Sequence, residues 1–290
     1  MRVRDCLENK LEERVEEYAG RKKSRDDKVN RKLQSLANRK CEIVKVDAVG
    51  QVLEKRTEKE IDQLLYHFHF KYVIKQGSFF YMEEEVEKRK AAFYKNHIIE
   101  DDEVPVEFEA EPLKMDEGWK REENEPIRYD YDRLEAVRYA ERWWNDYNPA
   151  YIKFEVDCTN YVSQCLHAGG APMRGYPNRS NGWWYRNRNW SFSWSVANAL
   201  KAYLQHSKTG LRAKEVDDPL ELQLGDVICY DFQGDGRFDH NTIVTGKDAN
   251  GMPLVNAHTY NTRMRYWAYE DSSAYTPNIQ YKMFTIVDNS

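Results

Sequence analysis

Two short segments of the chain hold residues that could do covalent chemistry together. The first is Phe154-Glu-Val-Asp157-Cys158-Thr159-Asn160-Tyr161-Val162, followed by Ser163 to Gly170. Asp157 is a good helix N-cap, so a helix is predicted from Asp157 to the Gly169-Gly170 stop, with Cys158 in its first turn. A helix N-terminus presents unpaired backbone N–H groups and positive potential. That environment favours thiolate, the reactive form of cysteine. The same N–H groups can hold the oxyanion formed when a carbonyl is attacked. A buried structural thiol is an equally good reading of Cys158 on this segment alone. Cys165, two turns on beside Val162 and Leu166, reads as core.

The second segment supplies a base. Residues 222–246 read turn, strand, hairpin loop, strand, with the turn at Leu224-Gly225-Asp226 and the loop at Gly234-Asp235-Gly236. His240 opens the second strand, a poor place for a packing residue and a good one for meeting a cysteine on a neighbouring helix end. On the next strand, Asn256 and His258 stand two residues apart on one face. Either could accept from the imidazole N–H and hold the ring, the third role in a nucleophile–base–orienter set.

The elements that must position these residues follow from the wider chain. Its 290 residues suffice for about two domains. With 41% hydrophobic and 32% charged residues, mixed throughout, the chain has a globular balance. A net charge of −5 points to neither nucleic acid nor an acidic membrane. No run approaches the about 18 apolar residues of a membrane span. The N-terminus lacks the apolar stretch of a secretory signal, so as written the chain is expected to stay in the cytoplasm, with release by lysis or into a spore as other routes. Five cysteines, none in a CxxC pair, argue against a disulfide framework and a zinc ribbon. No metal or cofactor is implied.

Residues 1–37 carry one narrow apolar stripe (Leu7, Leu11, Val15, Tyr18), read as an amphipathic helix. Cys41 to Val52 reads as a strand with a turn at Gly50, and Leu64 to Val73 as a strand. Lys75 to Ser78 makes a turn into a returning strand at Phe79; residues 83–95 fit strand or helix. His67 and His69 share a strand face but lack a third metal ligand, so sheet packing is their expected role. An N-terminal α+β domain is therefore predicted over 1–100, an acidic, Pro-containing linker over 101–127, and a second α+β domain over 128–290. Late strands are expected at Asp226–Tyr230, Asn241–Thr245 and Pro253–His258. Asp231 to Asp239 looks like a calcium loop, but Thr242 stands where an EF-hand needs glutamate, so a hairpin turn is the better reading. Asp239 should face away from His240, and His167 and His206 read as surface residues.

The order of these motifs resembles the papain-like hydrolases of the NlpC and CHAP types. It is most similar to the bacterial family called "putative amidase domain". The residues that carry the likeness are Tyr139-Ala140 with Trp143-Trp144, Asp157-Cys158-Thr159-Asn160-Tyr161-Val162-Ser163-Gln164, Ala168-Gly169-Gly170, and Gly234-Asp235-Gly236 with Asp239-His240. The resemblance spans about residues 129–288. It implies a papain-like fold with the nucleophile on a helix N-terminus packed on an antiparallel sheet. It also implies Cys158 as nucleophile, His240 as base, and peptide or peptidoglycan fragments as substrates, cleaved through a thioester. The NlpC type favours His258 as the third residue, because His258-Thr259 fits its strand end; the CHAP type favours Asn256. In such a fold the aromatic insertion from Arg174 to Trp194 could border the substrate cleft, with Trp183 and Trp184 binding substrate, though a Trp-rich core is the other reading. The alternative in another class is a binding or assembly module with a weak site, its N-terminal domain recruiting a protein partner.

Overall fold

The computed structural model describes residues 3–95, 97–105 and 127–288. They form two compact units. The first takes the described residues up to 105 together with Tyr260–Ala274; the second takes residues 127 to Thr259 and those from Tyr275 onward. The domain division read from sequence thus needs correction: a late segment returns to the first unit. The expected linker lies mostly outside the described residues, and its first part, Asp101 to Glu103, belongs to a strand.

The first unit opens with two helices, α1 (Val3–Tyr18) and α2 (Asp27–Asn38), where one was predicted. Gly20 at φ +69° ends the first helical run, and the Asp26 carboxylate caps the second by accepting from Lys28 N–H. Four antiparallel strands follow: β1 (Cys41–Glu58), β2 (Ile61–Gln76), β3 (Phe79–Tyr94) and β4 (His97–Glu103). Gly50 is no turn. It pairs with Phe68 in mid-strand, and a Cβ there would lie 3.1 Å from the Phe68 ring. Residues 83–95 are strand.

In the second unit, α3 (Arg133–Trp143) starts at an Asp132 cap that accepts from Glu135 N–H. Then come α4 (Cys158–Ala168), a short hairpin of β5 (Tyr185–Arg186) and β6 (Asn189–Trp190), α5 (Phe192–Ser195), α6 (Ala197–His206), β7 (Arg212–Val216), β8 (Val227–Asp231), β9 (His240–Lys247) and β10 (Pro253–Ala257). Strand β11 (Thr262–Tyr266) pairs with β3 in the first unit, and β12 (Gln280–Val287) closes the second. The second unit's sheet is antiparallel in the order β10-β9-β8-β12-β7. Tyr161, Val162, Cys165 and Leu166 of α4 bury themselves with Ala136 and Ala140 of α3, and with Val227, Cys229, Ile243 and Phe284 of the sheet. This is the α+β arrangement of helices on an antiparallel sheet.

The interior of the first unit is partly ionic. Alternation along β2 sends Tyr66, Phe68, Phe70 and Tyr72 inward, where Tyr18 meets Phe70 and Tyr72 edge-on. The neighbouring inward positions of β3 are Glu83, Glu85 and Glu87, all buried. Arg14 and Lys28 reach Glu87 at 3.2 and 2.9 Å. Lys32 lies between Glu83 and Asp271, and Arg265 pairs with Asp271. His69 bonds Glu84 at 2.8 Å, a sheet-packing role, and no metal-ligand cluster occurs among the described residues. No helix among the described residues is long and apolar enough to cross a membrane.

Candidate functional site

Asp157 does not cap α4 with its side chain, contrary to the sequence reading. Its Oδ1 instead accepts from Phe154 N–H and Asn160 Nδ2, both at 2.9 Å, and its Oδ2 lies 2.8 Å from His258 Nδ1. The first N–H groups at the helix start go elsewhere: those of Asp157 and Cys158 both donate to Thr259 Oγ1, at 3.0 and 3.1 Å. The carboxylate is drawn away because a buried histidine competes for it, and a hydroxyl fills the cap.

Cys158 is 1% exposed. Its sulfur lies 3.8 Å from Thr159 Oγ1, which itself accepts from Asn241 Nδ2 at 3.0 Å. Burial pushes the thiol up, while the Asn241 backbone N–H and the hydroxyls of Thr159 and Thr259 pull against that. The Asn241–Thr159 bond thereby ties the start of β9 to the start of α4. His240 is fully buried, its ring near Tyr230 and Phe232. It pairs across the ladder with Tyr230, whereas Asn241 pairs with Cys229 and reaches toward α4. Beside it, burial raises the half-exposed Asp239 carboxyl to about 6. The loop before Asp239 is the expected turn, folded on the Asp231 carboxylate, which accepts from Gly234 and Gly236 N–H at 2.7 Å.

His258 holds Asp157 and α3. Its Nε2 lies 2.7 Å from the Trp143 carbonyl and its Nδ1 faces Asp157, while its ring stacks on Tyr161. A carbonyl only accepts, so Nε2 carries a hydrogen. Both nitrogens being taken, His258 does not orient His240, a correction to the NlpC-type expectation. Asn256 is likewise engaged otherwise: its Oδ1 accepts from Thr245 at 2.7 Å and its Nδ2 donates to Glu141 at 2.8 Å.

Trp183 and Trp184 are 0% and 1% exposed, so neither offers a face to a substrate. The Trp183 indole donates to Ser163 on α4, and Trp194 donates to Asn160. The three tryptophans Trp183, Trp184 and Trp194 of the aromatic insertion are therefore core, while Tyr176 within it is exposed. The polar residues of the cysteine motif anchor the insertion, which leaves the Trp-rich core as the correct reading. His167 and His206 are exposed, as expected. Sequence reasoning missed Thr259, for which the one signal was its place directly after His258 on a strand end. It also missed Arg133, which binds Asp226 of the Leu-x-x-Gly-Asp turn at 2.6 Å and makes that turn structural.

These features define a two-layer α+β domain with a cysteine at a buried helix start. The family described as "Putative amidase domain" matches residues 130–284, and the chain belongs to it. It is similar to two proteins of Bacillus subtilis (strain 168). "Uncharacterized protein YhbB" is 49% identical over 298 aligned residues, covering 98% of this chain and 96% of that protein. "Uncharacterized protein YjcM" is 29% identical over 181, covering 58% and 41%. No solved structure matches. The family points to amide hydrolysis.

Proposed function

We propose that the second unit is a papain-like cysteine amide hydrolase in which Cys158 attacks and His240 serves as base. One observation carries this reading: the Cys158 sulfur sits at the start of α4, 3.8 Å from the Thr159 hydroxyl, which is held by Asn241, the residue next in sequence to His240. His240 takes the thiol proton, and the thiolate adds to an amide carbonyl. The Cys158 N–H, bonded to Thr259 Oγ1 before the attack, becomes an oxyanion donor only when the oxyanion takes that hydroxyl's place. His240 returns the proton to the leaving amine, and water then cleaves the thioester. The substrates are peptide or peptidoglycan-type amides.

Burial alone leaves Cys158 a poor nucleophile, so the reading requires His240 to offset it. The test is iodoacetamide labelling across pH, mapped by mass spectrometry. All five cysteines are buried thiols outside any disulfide, so selective labelling is informative. Cys158 should label first, and His240→Ala should slow it by about 10-fold or more at neutral pH, with amide turnover down about 10²–10⁴-fold. Labelling of Cys158 indifferent to His240 would end the proposal and favour a binding module.

A further inference from the structure

Thr259 is the last residue before the chain leaves the second unit, and it carries φ +78°. That conformation is rare for a β-branched side chain and costs about 1–3 kcal/mol, so something must hold it. Two bonds do: its Oγ1 accepts from both Asp157 N–H and Cys158 N–H. A hydroxyl has two lone pairs and one hydrogen. With both lone pairs engaged, the hydrogen must be donated elsewhere, and the 3.1 Å bond from Cys158 N–H places the hydroxyl next to the residue that bears the sulfur. The residue is only partly buried, whereas the cysteine is almost wholly so.

We propose that Thr259 is a catalytic residue whose hydroxyl, held by the two amides at the start of α4, donates its hydrogen bond to the Cys158 thiolate. This rests on the reading of Cys158 as nucleophile. The backbone amides, unable to reach the sulfur themselves while bonded to Oγ1, act on it through this hydroxyl. The Thr159 hydroxyl, its own oxygen fixed by Asn241, lies 3.8 Å from the sulfur as a second donor.

The test titrates the Cys158 thiolate directly by its ultraviolet absorbance, taking the difference between each protein and its Cys158→Ser version. The variants are Thr259→Ser, which keeps the hydroxyl, and Thr259→Val and Thr259→Gly, which lose it. Glycine accepts a positive φ without strain, so it keeps the measurement open if valine does not fold. Thiolate formation should shift about one pH unit upward in Thr259→Val and Thr259→Gly, and stay at the wild-type midpoint in Thr259→Ser. An unchanged midpoint in the glycine variant would overturn the inference and leave Thr259 a backbone-shaping residue. A shifted midpoint in a protein that hydrolyses no amide would support Thr259 and sink the hydrolase reading instead.

Discussion

At the scale of single residues, the site is built from groups that satisfy one another. The Asp157–His258 pair shows it best, with each partner buried and Asp157 also receiving Phe154 and Asn160. Removing one member of such a pair strands the other. His258→Gln should therefore cost about 3–5 kcal/mol in urea unfolding of the second unit, well beyond a surface histidine such as His206. A second consequence concerns pH. The Asp239 carboxyl titrates near 6 in the folded chain and near 4 in an unfolded one. The folded state then binds the proton more tightly, so this residue's stabilisation is complete below about pH 4 and is lost as pH rises through about 6. Melting temperatures followed over that window should fall more steeply in the wild type than in Asp239→Asn. The places of Cys158 at a helix start and His240 at a strand mouth were legible because both are local patterns. The role of His258 was not. Its two partners lie 101 and 115 residues away, and nothing in the sequence near it names an aspartate already expected to cap a helix.

At the scale of elements, periodicity was informative wherever one face of the chain is buried. The β2 alternation, the hairpin at Gly77-Ser78 and the α4 stop at Gly169 all follow from it. Gly169 closes α4 against Tyr131, with an added Cβ 2.4 Å from that ring, so Gly169→Ala should lower stability by about 1–3 kcal/mol in denaturant titration. The charged run on β3 was ambiguous for a physical reason. Glu83, Glu85 and Glu87 occupy core-facing positions where apolar residues would have marked a strand. They are tolerated inside because α1 and α2 bring Arg14, Lys28 and Lys32 to them. Burial raises the Glu83 carboxyl in spite of Lys32, so the lysine is what keeps that corner charged. Lys32→Met should leave Glu83 and Asp271 without their shared cation and destabilise the first unit by about 3–5 kcal/mol. Hydrogen exchange along β3 would report the loss, while the strands of the second unit keep their protection.

At the scale of the whole molecule, the domain boundary drawn from composition assumed that each unit is one continuous stretch. Tyr260–Ala274 breaks that assumption. Thr262 and Arg263 pair with Glu85 and Glu84 on β3, Arg31 donates to the carbonyls of Glu270 and Ser272, and Asp271 receives both Lys32 and Arg265. Strand pairing across more than 170 residues leaves no local trace, since either half alone reads as an ordinary polar strand. The consequence concerns a fragment over 128–290, which would keep α4, β9 and β10. It would lose the first-unit partners of residues 260–274 outside that segment and leave Asp271, buried in the full chain, with Arg265 but without Lys32. Limited proteolysis should accordingly cut that fragment first between Tyr260 and Ala274, at protease levels that leave the same segment intact in the full chain. Thr259 adjoins this segment, so the cut fragment should also lose fast labelling of Cys158. If the fragment instead resists cleavage there and labels Cys158 at the full-chain rate, the second unit folds and arms its cysteine without the first. The long segment shared with the first unit would then serve that unit alone.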